Sequence, residues 1–409
     1  MKVTQRTVRL ELAEPLRISR STMAARDAVW LTVEHDGLAG HGEAVTSVYY
    51  GLDADTLGRH FAAVARDLVH FRDPESALEA LRTGEPAGPA SAVPVGSTIG
   101  RAATAASTTA GAGNGGAAPA GRSSALPPAV TAAVESALLD LVGKRAGSPV
   151  HRLLGAPAAP VAATARTIGI TAPAHAAAEA RRLTASGFEV VKIKAGSPDP
   201  EEDIERVRVV REAAPRARLL LDPNGAWTPT QADALLPRFA ELGVEAVEQP
   251  LAPGTPDALA ALAERSPLPV IADEDAVSLD DVRRLAGRVH GVNVKLAKCG
   301  GVHAALRIAE LIEGSGTELM LGCLTASSLG LAPAVQLADR ARWVDLDGHL
   351  LLAADPWTGI GGADGFVRTS HLPGLGVRRR ETEETRQSRQ PGQAARSDRT
   401  GEVGRADVA

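Results

Sequence analysis

The sequence predicts an α/β protein, a (β/α) barrel preceded by a smaller α+β domain. Eight apolar runs of strand length, at 161–170, 189–195, 218–224, 244–250, 268–274, 291–297, 318–323 and 343–347, alternate with amphipathic helical stretches at a spacing of roughly 25 residues. An open doubly wound sheet, the competing arrangement, more usually stops at about five or six strands. Ahead of the runs, residues 2–12 and 28–35 alternate with period two, 37–42 reads as a hairpin turn, and 53–71 has helical period.

Pro127 and Pro128 open a helix over 129–144 that Gly147 and Pro149 close. Residues 86–126 are Ala, Gly, Ser, Thr and Pro with little charge and no apolar period, which predicts a disordered low-complexity linker. Within it, Gly111 to Gly116 formally fits a dinucleotide-binding fingerprint but follows no strand and opens no helix. Residues 378–409 read as a disordered tail. The expected domains are therefore 1–85 and 127–355.

Composition narrows the function. Of 409 residues, 44% are hydrophobic and 23% charged, and the net charge of -5 gives no basic field for nucleic acid. Cys299 and Cys323 are too few for a disulfide framework, and no Cys/His cluster has zinc spacing. No leader-like apolar segment or membrane span is visible, so a soluble cytoplasmic protein is expected.

Buried parallel strands should be almost wholly apolar, yet these runs carry charge near their C-terminal ends, where a barrel builds its active site. Asp222, Glu248 and Asp273 come from successive runs with gaps of 26 (248−222) and 25 (273−248). Three oxygens on adjacent strands can converge on one hard cation, and a set without His or Cys favours Mg²⁺ over zinc. Lys192 and Lys194 share a face of the second run, and Lys295 sits on the sixth. Burial and nearby positive charge are expected to lower such lysines toward a working range. Lysines on both sides of a metal can remove and return a proton on opposite faces of one carbon, once the ion stabilises the enediolate. Lys298, at the strand-to-helix turn, reads as structural. Asp345 and Asp347 share a face of the last run and would repel each other unless a cation sat between them.

These residues lie in a set of motifs: Pro15-Leu16-Arg17-Ile18-Ser19-Arg20, Gly42-Glu43-Ala44, the helix over 133–144, and the stretches 191–196, 222–227, 248–250, 272–274, 293–301 and 345–347. As a set they resemble the enolase superfamily in its muconate-lactonising subgroup, and most closely dipeptide epimerases of the L-Ala-D/L-Glu epimerase kind. The resemblance implies a barrel covered by an α+β capping domain, to which 356–377 returns. It implies Mg²⁺ on Asp222, Glu248 and Asp273, acid/base roles for Lys194 and Lys295, and Lys192 on the substrate carboxylate. Thr167 would lie beside the substrate, Asp345 and Asp347 would hold a free α-ammonium, and Leu324 and Thr325 would line the pocket for the second residue. The expected partner is a small dipeptide, with the oligomeric state left open, a homo-oligomer included. Two departures stand out: Ser21 where acidic-dipeptide relatives carry arginine, and Ala326 where relatives often carry glutamate. Small or apolar side chains are therefore expected in the second position. An o-succinylbenzoate synthase or N-succinylamino acid racemase would share the lysines and metal, and a non-catalytic ligand-binding relic is the third reading.

Overall fold

Strand β1 (Lys2–Ile18) pairs antiparallel with β2 (Ser21–His35), which pairs with β3 (Leu38–Val45). The structure, a computed structural model, describes residues 1–83 and 126–380. The linker up to residue 125 and most of the tail therefore lie outside the described residues, and Leu126, expected as the linker's last residue, is buried in the core of the small domain. Both long strands run further than their alternation suggested, so the hairpin tip at Ser19–Arg20 projects well beyond the sheet. Helices α1 (Ala54–Leu68) and α2 (Pro74–Thr83) follow, the first capped by Asp53, which accepts from Thr56 N.

The hairpin turn differs from expectation. It is confined to Asp36–Gly37, both at positive φ, and Gly40 and Gly42 lie within β3. Those glycines are there for packing. Helix α3 (Pro128–Arg145) crosses β3 so closely that a Cβ on Gly40 would lie 2.1 Å from Ala137 O and one on Gly42 2.0 Å from Ala133 O. The helix is buried nearly all round. Val130, Val134 and Leu138 join the core of the small domain, whereas Ala132 and Leu139 join that of the barrel.

The barrel is one sheet of eight parallel strands in chain order: β5 (Ala165–Ile168), β6 (Val190–Lys194), β7 (Arg218–Asp222), β8 (Val244–Glu248), β9 (Val270–Ala272), β10 (Gly291–Val294), β11 (Glu318–Gly322) and β12 (Trp343–Asp345). The first apolar run splits. Its start, β4 (Val161–Ala163), pairs outside the barrel with Phe366–Arg368. The last and first barrel strands meet through side chains: Thr167 N donates to Asp347 Oδ2 at 2.7 Å and Leu346 N to Thr164 Oγ1 at 2.9 Å. Residues 378 and 379, expected in the tail, form a short antiparallel pair with Trp357–Thr358. Among the described residues no helix is long and apolar enough to cross a membrane.

Period two then sorts each strand. Val191, Ile193, Leu219, Leu221, Val247 and Val270 pack outward beneath the helices. Ala165, Val190, Leu220, Ala246, Ile271, Met320 and Trp343 form a separate apolar plug inside. Two residues further along the same faces come Lys192, Asp222, Glu248, Asp273 and Asp345, a charged layer on the apolar one.

The close crossing of α3 over β3 yields a stability prediction. Gly42→Ala should destabilise the protein by about 2 kcal/mol or more, because the added methyl meets a helix carbonyl that cannot move alone. Urea unfolding followed by circular dichroism measures it, and an unchanged midpoint would contradict this account of β3.

Candidate active site

The charged layer is a row of alternating ions. Lys194 Nζ contacts Asp222 Oδ2. Lys192 Nζ lies 3.1 Å from Asp222 Oδ2, 2.5 Å from Glu248 Oε2 and 2.7 Å from Asp345 Oδ2. Lys295 Nζ lies 2.6 Å from Asp273 Oδ2 and 3.9 Å from Glu248 Oε1. Lys298 closes the row, with Nζ 2.5 Å from Asp273 Oδ1. Asp222, Glu248 and Asp273 are each at most 2% exposed.

The structure thus brings the three carboxylates into one layer but does not stack their oxygens around a shared point. Ammonium groups lie between them, and among the described residues no three acidic, His or Cys side chains stand at metal-ligand spacing. The electrostatics follow from these contacts. Burial and the Asp222 charge push the Glu248 carboxyl up to about 7. Burial also acts to raise Asp222 and Asp273, but Lys192 and Lys194 hold the first below the usual carboxylate range, and Lys295 and Lys298 hold the second well below it. Burial would lower Lys192 and Lys295, as expected from sequence. The outcome is the reverse, because adjoining carboxylates outweigh it and both ammonium groups are held above their ordinary value.

The Asp345/Asp347 pair also differs in detail from the expectation of an unneutralised couple. Asp345 Oδ2 already faces Lys192, while Asp347 Oδ2 accepts from Thr167 N and, at 3.3 Å, from Arg166 Nη1. Asp345 Oδ1 is buried with no hydrogen-bond partner. Burial, and then Asp347, raise the Asp345 carboxyl. Leu324 lines a small cavity of about 50 Å³ with Lys295, Cys323, Glu43 and Ala326; Thr325 is buried and does not line it.

Several residues that shape the site lie within the motifs quoted above but have no role readable from the pattern. Asn293 Nδ2 donates to Glu248 Oε1 at 2.8 Å. Gln249, whose φ of 38° turns the chain at the end of β8, accepts from Asp273 N at 2.9 Å. Glu43 reaches from β3 into the barrel, accepting from Ser327 N at 2.8 Å, Ser327 Oγ at 2.5 Å and Trp30 Nε1 at 2.7 Å. At the hairpin tip, Arg20 donates to Glu274 Oε1 at 2.7 Å and Asn224 O at 3.0 Å and lies over the Tyr49 ring. The arginine beside Ser21 is therefore already committed to the barrel. Charges breaking apolar runs stand out by pattern; Gln249 and Arg20 stand out only as motif members, and their contacts depend on the fold.

Residues 175–383 match the model of the enolase C-terminal domain-like family. The chain belongs to the enolase superfamily. Within this superfamily it is 32% identical to a hydrophobic dipeptide epimerase of Roseobacter litoralis, covering 92% of this chain and 98% of that one. It is 29% identical to an L-Ala-D/L-Glu epimerase of Bacteroides thetaiotaomicron over 92% of this chain and 88% of the other. A dipeptide epimerase of Enterococcus faecalis V583, solved with Mg and L-Leu-L-Tyr, superposes with a TM-score of 0.78 at 28% identity, covering 92% and 98% of the two chains. As a member of the superfamily with epimerases as its relatives, the protein is an isomerase.

Lys298 anchors the end of the row: its fully buried ammonium also donates to Asp273 O at 2.7 Å and Asn293 O at 2.8 Å. Lys298→Met should cost about 3 kcal/mol or more, since it strips a partner from a buried carboxylate. Chemical denaturation at neutral pH reads the loss, and a change of under about 1 kcal/mol would show the contact to be dispensable.

Proposed function

We propose that this isomerase is a dipeptide epimerase, inverting the carbon α to the substrate carboxylate by a two-base 1,1-proton transfer. One observation carries the reading. In an eight-stranded ring, β6 and β10 lie four strands apart, so Lys194 and Lys295 face one another across the mouth with the acidic strands β7, β8 and β9 between them on one side. Lys194 is proposed to take or return the proton on one face and Lys295 on the other.

The other axis of the ring fits the ends of the substrate. Glu248 on β8 stands four strands from Asp345 on β12. A molecule with a carboxylate toward β7–β9 and an ammonium toward β12 would place its α-carbon between the lysines. Lys192, which reaches both sides, is the residue proposed to hold the substrate carboxylate. The unpartnered Asp345 Oδ1 supports an ammonium at the other end, with Asp347 and Thr167 fixing that corner through their mutual hydrogen bond.

The residues also fit a divalent ion. Asp222, Glu248 and Asp273 form an all-oxygen set of hard donors. Glu248, the middle carboxylate of the three, is raised by burial and by the Asp222 and Asp273 charges even though Lys192 Nζ lies 2.5 Å from its Oε2, which supports a further cation being accepted by this set. Mg²⁺ bound to these three carboxylates would supply the charge that stabilises an enediolate. The chain's own part is to aim the carboxylates, keep water from the row and carry the protons at Nζ of Lys194 and Lys295.

For the second residue of the dipeptide, the cavity that Leu324 lines has no arginine in its lining among the described residues, and Arg20, beside Ser21, is paired with Glu274. Apolar or small side chains are the proposed preference over glutamate.

In D₂O with Mg²⁺ present, wild-type enzyme should wash deuterium into both epimers of an apolar dipeptide. Lys295→Ala should lower epimerisation roughly 10²- to 10⁴-fold while one epimer still exchanges through Lys194. Undiminished epimerisation by that variant would end the two-base reading.

The ammonium end gives a separate test. N-acetylation of the best dipeptide should lower kcat/KM by about 100-fold or more, because it removes the charge that Asp345 would meet. Equal kcat/KM for free and acetylated substrates would replace this reading with that of an N-succinylamino acid racemase, for which Lys192 already neutralises Asp345.

A further inference from the structure

Outside the row of site charges, the most deeply buried ion pair in the barrel is Asp203 with Arg206, on the helix α4 (Pro200–Ala213) that follows β6; their side chains are 1% and 2% exposed. An ion pair taken fully out of water contributes little net stability, so its placement calls for another reason. Its hydrogen bonds supply one. Asp203 Oδ2 accepts from Gly196 N at 2.7 Å and Ser197 N at 3.0 Å, and Oδ1 from Ser197 Oγ at 2.7 Å. Arg206 Nη1 donates to Asp203 Oδ1 at 2.6 Å and to Lys194 O at 3.3 Å, Nη2 to Ser197 Oγ at 3.2 Å, and Nε to Thr171 O at 2.9 Å. Apart from the bond to Thr171, which ties in the loop after β5, every one of these bonds lies within the pair or ends on the three residues Lys194, Gly196 and Ser197.

The turn they hold has no slack. Gly196 sits at φ +91°, and a Cβ there would lie 2.6 Å from Ala226 Cβ, 2.7 Å from Ser19 Cβ and 2.9 Å from Pro223 O. The main chain leaving Lys194 is thus pressed by the next barrel loop and the hairpin tip from one side and gripped by Asp203 and Arg206 from the other. Proton transfer at a lysine depends on where its Nζ stands to within a fraction of an ångström, and a flexible four-carbon stem inherits any error in its backbone.

We propose that Asp203 and Arg206 are positioning residues that hold the main chain of Lys194 so that its Nζ, as amine or as ammonium, meets the substrate α-carbon. This rests on the reading that Lys194 and Lys295 serve opposite faces, and that reading supplies the test. A defect at Lys194 should fall on one epimer, whereas a general loosening of the barrel should fall on both.

The experiment measures α-proton exchange in D₂O from each epimer separately, with thermal midpoints recorded alongside, for wild type, Asp203→Asn, Arg206→Lys and Ser197→Ala. The epimer served by Lys194 is the one whose exchange Lys194→Ala abolishes. For Asp203→Asn and Arg206→Lys, exchange from that epimer should fall roughly 10- to 100-fold while the other stays within about twofold. Ser197→Ala, which removes only the hydroxyl that both charged groups share, should show the same one-sided loss at about 3- to 10-fold, and decides the matter if the charge variants do not fold. Equal losses for the two epimers, or no loss in a folded variant, would overturn the positioning role. A wild-type enzyme that exchanges neither epimer would overturn the two-base reading instead.

Discussion

A charge taken out of water must find an opposite charge, and the mouth of this barrel is organised by that requirement. Lys194, Asp222, Lys192, Glu248, Lys295, Asp273 and Lys298 alternate in sign around half the ring. The alternation is set by register, since Lys194 stands beside Asp222 in the β6–β7 ladder. Neutral groups fill the bonds that the ions leave open, Asn293 on Glu248 and Gln249 on the Asp273 backbone. The apolar plug beneath removes the alternative of solvation from below. Shifting a strand by one residue would turn its charges outward into the helix layer and break the row, so the charge pattern and the strand register enforce each other.

The same rule joins the small domain to the barrel. Glu43 leaves β3 to take both Ser327 donors, and burial raises its carboxyl. Asp140 on α3 is fully buried and accepts from His41 N and Leu375 N, with Lys144 as its cation. Arg20 pairs with Glu274, next in sequence to Asp273. Each of these contacts would leave a buried polar group unpaired if the domain shifted, which fixes the hairpin tip over the charged row more firmly than apolar packing alone. Glu43 also shares its cavity with Ala326. A second carboxylate at 326 would stand beside the first with no added cation, a physical reason for the alanine there.

What the sequence revealed, and what it hid, follows from how each residue departs from its local pattern. The barrel was legible because its strands are continuous apolar runs, and Lys192, Asp222, Glu248, Asp273 and Lys295 stood out by interrupting them. Gly40 and Gly42 suggest a turn from sequence because glycine signals a turn and a close helix crossing equally well, and the helix that needs them begins at Pro128, far along the chain. Arg206 and Asp203 were invisible for the opposite reason: on an amphipathic helix rich in charge they look solvated. The sequence places Lys298 at a strand-to-helix turn but does not show that its ammonium rests on Asp273, because that contact depends on how the chain turns after β10. Arg20 and Glu274 lie 254 residues apart, beyond any local pattern.

An epimerase faces a constraint that most proton-transfer enzymes escape. Substrate and product differ at one centre, forward and reverse barriers are similar, and a base that works well on one face is of little use if its partner on the other is misplaced. Both proposed bases in this barrel have a buried cation behind them. On the β6 side the Arg206 fork donates to Lys194 O and is itself neutralised by Asp203. On the β10 side Lys298 donates to Asn293 O, two residues before Lys295, and is neutralised by Asp273. The chemistries differ, a planar guanidinium shared among loop carbonyls against a compact ammonium at a strand end, because the two chains leave the barrel differently: one turns at a glycine, the other enters a short helix directly after Lys295. A fold that immobilises both ends of the proton path by unrelated means can still hold two bases in comparable readiness, and that balance is what inversion in both directions requires.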